Sequence, residues 1–284
     1  MRRSIPAMAI AATATLLILS GCGGGSTDAG GVSSDCTPKH SGLKTVTPGS
    51  LTVAAYQYPP FSDVKAGKLD GAEGKIITRI AEMECLKPVL KAGAAASMIP
   101  SVTFGRADTT IGDWYRTKER AKVVILGAPV LLDQLTLISK SGVSTIDGLE
   151  GKKVGSILGF LWNTDLENML GDNLKLYDTA QAEYGDLAAG RIDVIVDTYP
   201  SALSTLKTTP ISGAKLEVPP PDSKVASTEN PGQSMFPVNK NNPDLAKALD
   251  ADIAELRKSG ELEKIIAPFG FKPSAAHPGT PNEL

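Results

Sequence analysis

Short apolar runs alternate with segments of helical periodicity along most of this chain. Leu51–Ala55 is one such run, broken by Tyr58-Pro59-Pro60-Phe61. Val123–Leu126, Leu135–Ser139, Val154–Ile157 and Ile192–Val196 are similar, with the length and β-branched content of buried strands. Between Lys75 and Leu86, the residues Ile76, Ile80 and Met83 recur at helical spacing. Asn242-Pro243-Asp244 joins a capping amide, a proline suited to the first helical position and an acid for the first turn. Leu245, Leu249, Ile253 and Leu256 then stripe one helix face until Ser259-Gly260 ends it. Alternating β and α elements predict an α/β protein with mostly parallel sheet. Such sheets hold ligands beyond the carboxyl ends of their strands. No internal repeat is evident.

The first 34 residues stand outside this pattern. Arg2 and Arg3 precede the almost wholly apolar stretch Ile5–Leu19, which is too short and wrongly flanked to span a membrane. Leu19-Ser20-Gly21-Cys22 resembles a bacterial lipobox. Residues 1–21 are therefore expected to be a signal peptide, and Cys22 the lipid-bearing mature N-terminus. Several acyl chains on one residue anchor firmly, where one is marginal. Gly23-Gly24-Gly25-Ser26 opens a Gly/Ser/Thr-rich tether. Residues 22–43 are assigned to this lipidated, flexible segment, which holds the folded part at the outer face of the cell membrane.

Roughly 240 residues remain, enough for one large domain or two smaller ones. An apolar fraction of 42% and a formal charge of −2 are ordinary for a globular chain, and no basic stripe points to nucleic acid. With Cys22 set aside, Cys36 and Cys85 form an even pair in an oxidising compartment. A disulfide between them would staple the N-terminal segment to the end of the first helix; two buried thiols are the alternative.

The densest chemistry lies in Gly112–Val124, G-D-W-Y-R-T-K-E-R-A-K-V-V. Thr117 is a candidate N-cap, with Arg120 in the first turn. Free N–H groups at a helix start attract anions, and a guanidinium fork binds a carboxylate through two charge-assisted hydrogen bonds. Asp113 can meet an ammonium, and Trp114 or Tyr115 can pack on what lies between. That combination suits a small zwitterion such as an amino acid. The plainer alternative is an amphipathic turn with solvated charges.

Further segments carry a family resemblance by their order and spacing. They are Leu51-Thr-Val-Ala-Ala-Tyr-Gln-Tyr-Pro-Pro-Phe61, Met98-Ile99-Pro100, Thr117-Lys-Glu-Arg120-Ala-Lys-Val123, Asp147-Gly-Leu-Glu-Gly-Lys-Lys-Val-Gly155 and Gly190-Arg-Ile-Asp-Val-Ile-Val-Asp-Thr198. The helix after Asn242 and the Leu256–Ile265 turn complete the set. From about Gly49 to Phe271 the chain resembles the family 3 extracellular solute-binding proteins, which serve ABC importers of polar amino acids. The resemblance implies a two-lobed, periplasmic-binding-protein-like clamshell of type II, each lobe a mostly parallel sheet flanked by helices. Lobe 1 would take residues 44–133 and 232–275, lobe 2 residues 134–231, and residues 276–284 would form a tail. The crossovers fall near Asp133-Gln134 and Gly232–Phe236. By the same resemblance, Arg120 falls on the arginine that binds the ligand α-carboxylate, and Tyr58 on a cleft-lining tyrosine.

The departures from the family pattern bear on the ligand. Asp113 replaces a hydroxyl residue. Thr198 stands where the family's ammonium-binding Asp is usual, with Asp197 one step earlier; adjacent strand residues face opposite ways. An aromatic is lost to Ala94-Ala95-Ala96, and Gly159-Phe160-Leu161-Trp162-Asn163 replaces a small G-T-T turn. Of 14 aromatic residues, nine (Tyr56, Tyr58, Phe61, Trp114, Tyr115, Phe160, Trp162, Tyr199 and Phe236) fall in or beside loops that face the cleft in this family. The candidate ligand set is therefore Tyr58, Asp113, Trp114, Tyr115, Arg120, Phe160, Leu161, Trp162, Asp197 and Thr198. Aromatic walls favour a bulkier, more apolar or more cationic ligand.

Three functions fit this reading. The first is a monomeric binding protein that delivers a small zwitterion to the permease and ATPase of an ABC importer. The second is a cleft enzyme of the dehydratase type on the same fold. The third is a lipid-anchored sensor for a membrane kinase. The only histidines, His40 and His277, lie in the expected tails, and no H-E-x-x-H, G-x-S-x-G or P-loop pattern is present. No cofactor, metal or catalytic residue is assigned, and the binding protein is the reading carried forward.

Overall fold

In the computed structural model, which describes residues 35–64 and 67–284, strands and helices alternate as the apolar pattern requires. The order begins β1 (Ser50–Ala55), α1 (Gly71–Met83), β2 (Lys87–Ala92), α2 (Met98–Thr103), β3 (Thr109–Ile111), α3 (Lys118–Ala121), β4 (Val124–Ile125) and β5 (Pro129–Asp133). It continues β6 (Leu135–Ser139), β7 (Val154–Ile157), α4 (Asn163–Leu170), β8 (Leu174–Tyr177), α5 (Ala180–Ala188), β9 (Val194–Thr198), α6 (Tyr199–Thr208), β10 (Lys215–Glu217) and α7 (Ala226–Glu229). It closes with β11 (Gly232–Met235), β12 (Val238–Asn239), α8 (Pro243–Lys258) and α9 (Glu261–Ile266). Cys22, the signal segment and most of the tether lie outside the described residues. Among those described, no helix is long and apolar enough to cross a membrane.

Two main sheets organise two lobes. The first has the order β2-β1-β3 and is wholly parallel. The second has the order β10-β6-β9-β7-β8; β9, β7 and β8 run parallel, while β6 and β10 join antiparallel. Strand β1 is buried along Leu51–Ala55 because both faces are covered, which is why it reads as a continuous run rather than an alternation. On one side it meets Ile76, Ile77 and Ile80 of α1 with Leu249 and Ile253 of α8. On the other it meets Met98, Val102 and Val124. The second sheet is likewise sandwiched, by Leu149 and Leu166 on one face and by Tyr184 and Leu187 on the other.

The helices begin where side-chain caps permit. Asp70, Thr117, Thr179, Thr198 and Asn242 each accept a first-turn backbone N–H, satisfying donors that a helix start leaves open. The Asp70 cap starts α1 one turn before the Lys75 read from periodicity. Strand β9 runs to Thr198, two residues past the apolar run, and so carries Asp197 and Thr198 inside the sheet.

The lobes are joined by β5 and β11, which pair antiparallel from Gly232↔Asp133 to Met235↔Pro129. Both crossovers thus lie side by side as a two-stranded ribbon. Residues 35–43, assigned above to a flexible tether, are instead fastened to the first lobe. Cys36 and Cys85 are bonded, with Cα atoms 5.8 Å apart. The Lys39 N–H donates to the Met83 carbonyl at 3.2 Å, and Leu43 packs on the core. The segment after Ala276 is no free tail either. Gln233 of β11 donates to the carbonyls of Pro278 and Thr280 at 2.8 Å each, and Leu284 exchanges backbone hydrogen bonds with Arg116 and Lys118. Its backbone groups are satisfied against the ribbon, so it follows that path.

The disulfide closes a loop over a sequence separation of 49 that holds β1 and α1. Cys36→Ser should lower unfolding stability by about 2–4 kcal/mol, measured by urea denaturation; a loss below about 0.5 kcal/mol would show that the bond does not constrain the fold.

Candidate functional site

Strands β1 and β3 end side by side, with Ala55 opposite Ile111, and the candidate residues gather just beyond them. Tyr56 leaves β1 and its hydroxyl donates to the Gly112 carbonyl at 2.8 Å. A Cβ on Gly112 would stand 2.2 Å from the Tyr56 ring, and its φ of +124° suits glycine alone. From this contact an aromatic ladder runs inward. Trp114 packs on Tyr56 at 5.6 Å, Tyr56 on Tyr58 at 5.7 Å, Tyr58 on Phe61 at 5.6 Å and Phe61 on Phe271 at 5.0 Å. Tyr58 is a half-buried middle rung, whereas Phe61 and Phe236 are core residues.

Beside the ladder lies a cluster of acids. Glu73, in the first turn of α1, is fully buried. Its Oε2 accepts the N–H groups of Gly112 at 2.7 Å and Asp113 at 3.0 Å. Two successive N–H groups around one oxygen form a nest, and Asp113 adopts a φ of +58° to complete it; Asp tolerates that region better than most residues. Asp133, at the end of β5, accepts the Tyr115 hydroxyl through Oδ2 at 2.6 Å. Asp113 and Asp133 are close enough to share a proton. Burial, then the charges of Asp133 and Glu73, holds the Asp113 carboxyl well above the usual range. Burial pushes Asp133 up to about 7, against the Tyr115 hydrogen bond. Burial also raises Glu73, against its two backbone donors. Glu73 Oε1, Asp113 Oδ1, Asp133 Oδ1 and the nearby Ser234 hydroxyl are sealed from solvent with no partner among the described residues.

The opposite charge stands at the mouth of the ladder. Arg120 lies over the Trp114 ring at 5.0 Å and donates one hydrogen bond, to the Tyr115 carbonyl at 2.5 Å. A guanidinium has five N–H donors, and among the described residues Arg120 meets no carboxylate within ion-pair distance. The helix start does not help it as expected. α3 is a single turn; Thr117 takes the Arg120 N–H at 3.2 Å and Leu284 takes that of Lys118 at 3.2 Å. The Arg120 guanidinium is thus left without an acidic partner among the described residues, while the N–H groups of Arg120 and Lys118 are taken by the cap and the C-terminal segment.

The second lobe corrects part of the candidate set. Trp162 is a core residue, 3% exposed among Leu135, Leu137 and Leu166, and its Nε1–H donates to Ser156 at 2.9 Å. Its ring is spent on packing because the turn before α4 folds it inward. Phe160 stays half-buried, edge-on to Trp162 at 5.0 Å, and Leu161 is 37% exposed. Asp197 accepts the Tyr184 hydroxyl at 2.8 Å and the Thr198 N–H at 2.7 Å. Burial pushes it up to about 6 against those donors. Both of its oxygens thus serve the second lobe. Thr198 is buried and caps α6.

The structure brings Tyr58, Asp113, Trp114, Tyr115 and Arg120 together and leaves Phe160 and Leu161 on the second lobe. It adds Glu73, Asp133 and Tyr56. Glu73 shares the α1 face of Ile76, Ile77 and Ile80, so an acid on an apolar stripe was its sequence signal. Asp133 had none beyond its place at the crossover. A cavity of about 350 Å³ lies between Leu161, Asp165 and Ser227 of the second lobe and Glu283 and Leu284 of the C-terminal segment, which thus walls one side of that lobe's loops.

Known proteins share this sequence pattern and this fold. The sequence profile of the bacterial extracellular solute-binding proteins, family 3, matches residues 51–272. The L-cystine-binding protein TcyJ of Escherichia coli (strain K12) is 31% identical over 214 residues, covering 73% of this chain and 77% of that protein. The ABC transporter arginine-binding protein 1 of Escherichia coli (strain K12) is 26% identical over 215 residues, 73% of this chain and 85% of that one. An ancestral arginine-binding protein bound to glutamine has the same fold, with a TM-score of 0.62 at 25% identity over 80% of this chain and all of that one. With its paired crossovers, two sheets and a profile match across most of its length, the chain belongs to the bacterial extracellular solute-binding proteins of family 3.

Proposed function

We propose that this protein captures an amino acid between its lobes and hands it to the permease and ATPase of an ABC importer. One observation carries the reading: an ion-unpaired guanidinium, Arg120, and unpartnered carboxylate oxygens, on Asp113 and Asp133, border the same aromatic wall. Arg120 takes the α-carboxylate. Asp113, backed by Asp133, takes the ammonium in place of the acid that the family carries at the position of Thr198. With one shared proton the pair holds a single negative charge, which one ammonium matches. The side chain lies along Trp114, and Phe160 closes over it from the second lobe. Closure bends the β5–β11 ribbon. The cystine- and arginine-binding proteins among the relatives, and the ancestral arginine-binding protein bound to glutamine, support an amino-acid ligand. The same reading places the protein at the outer membrane face through lipid on Cys22, which labelling with a radioactive fatty acid and a Cys22→Ala control would test.

A thermal-shift screen of the full chain over amino acids should find a stabilising ligand, since binding to the native state raises the melting temperature. Arg120→Ala and Asp113→Asn should each weaken that ligand by roughly 10- to 100-fold in calorimetry, while Asp197→Asn should stay within about twofold. Unchanged affinity in Arg120→Ala would overturn the carboxylate assignment.

The raised carboxyls also set a pH dependence. Asp133 moves from an ordinary value near 4 to about 7 on folding. Its contribution to stability is present below the unfolded value and is lost as pH rises through about 7. The ligand-free protein should therefore lose stability between pH 5 and 8 more steeply than Asp133→Asn. Ligand affinity should run the other way, falling as pH drops from 8 to 5, because a protonated pair cannot hold an ammonium. Identical pH profiles for the two proteins would remove Asp133 from the ammonium site.

A further inference from the structure

A second cluster of titratable groups lies on the first lobe, where the N-terminal segment meets the ends of α1 and α8. His40 Nδ1 stands 2.6 Å from Glu84 Oε1 and 4.0 Å from Asp252 Oδ1. The His40 backbone N–H donates to Glu84 Oε2 at 3.0 Å. Glu84 is the C-cap of α1, and Asp252 sits on the buried face of α8 between Leu249 and Ile253. One donor atom from each of the three residues lies within 4.8 Å of the others. Glu84 is 4% exposed and Asp252 1%. Both Asp252 oxygens lack a hydrogen-bond partner among the described residues. Lys39, whose charge reaches Asp252, is ion-paired to Glu255.

Two buried carboxylates facing each other are costly unless something positive joins them. The geometry here leaves a place for a cation. An imidazole nitrogen and two carboxylate oxygens converge from three separate parts of the chain. The His40 side chain is 37% exposed, which opens one side to solvent for entry and for a water in the remaining position. Calcium and magnesium prefer all-oxygen shells of six or more ligands; a nitrogen with two carboxylates suits zinc and its neighbours.

We propose that His40, Glu84 and Asp252 form a binding site for one divalent transition-metal ion of the zinc type. Two ligands about 2.0 Å from a tetrahedral ion stand roughly 3.3 Å apart, so Nδ1 and Oε1 part slightly to admit it. The ion clamps residues 35–43 onto α1 and α8, beside the Cys36–Cys85 bond and remote in sequence from the ligand-binding residues.

The test uses the full-length chain in detergent, stripped of metal by a chelator, with zinc chloride as the probe. Calorimetry should show one zinc ion per chain, and zinc should raise the melting temperature. His40→Ala and Asp252→Asn should each weaken zinc binding at least tenfold, while His277→Ala, which removes the other histidine, should leave it within twofold. Absence of saturable zinc binding by the wild-type chain would overturn the site. So would unchanged zinc affinity in Asp252→Asn, or a loss confined to His277→Ala. Should Asp252→Asn fail to fold by circular dichroism, the half-exposed His40→Ala decides alone, and wild-type zinc affinity in that variant overturns the proposal.

Discussion

The Glu73 carboxylate gathers two consecutive backbone N–H groups, and most of the site follows from that. By holding Gly112 and Asp113 in left-handed backbone, it turns the chain sharply at the end of β3. The turn sets the Gly112 carbonyl under the Tyr56 hydroxyl and aims Asp113 at Asp133. It also sends Trp114 back over Tyr56, where Arg120 covers it. A buried acid without those donors would be costly. With them, one oxygen of Glu73 is well satisfied and the other adds to the negative field at the site. The strain of a non-glycine residue at positive φ, on the order of 1–3 kcal/mol, is offset by the two charge-assisted hydrogen bonds that require it.

The same residues tie the proposed binding site to the interlobe ribbon. Asp133 ends one strand of the interlobe ribbon, and Gly232 begins the other. Tyr115 donates to Asp133 and lies so close to Gly232 that a Cβ there would stand 2.7 Å from its ring. The group proposed to back the ligand ammonium is thus part of the element that must bend. An ammonium bound to the singly charged Asp113–Asp133 pair would neutralise that charge at the hinge itself. The C-terminal segment, bonded to Gln233, Arg116 and Lys118, runs along the same ribbon and belongs to its mechanics.

The first lobe solves a different problem on its far side. The described N-terminal residues carry little apolar surface of their own, so they are secured by specific bonds: a disulfide, a backbone hydrogen bond, the Lys39–Glu255 ion pair and the His40–Glu84–Asp252 cluster. Such bonds fix a strand of chain where burial alone could not, because burial stabilises in proportion to apolar area.

Local rules made much of this legible in one dimension. Continuous apolar runs marked the buried strands, capping residues marked helix starts, and the order of short motifs marked two lobes. Arg120 and Asp113 stood out as charges amid aromatic residues. Other positions read wrongly or not at all, because their roles depend on which face of a fold they meet. Trp162 follows a loop whose turn folds it inward, so its ring fills the core. The helix start at Thr117 spends its N–H groups on its own cap and on Leu284, far along the chain. Glu73 was one acid on an apolar stripe, and Asp133 one acid at a crossover. Periodicity and capping act over a few residues and are written in the sequence. The pairing of Glu73 with Asp113, of Asp113 with Asp133, and of His40 with Glu84 joins residues that only the packing of sheet and helices brings within hydrogen-bond reach, and tertiary structure alone decided it.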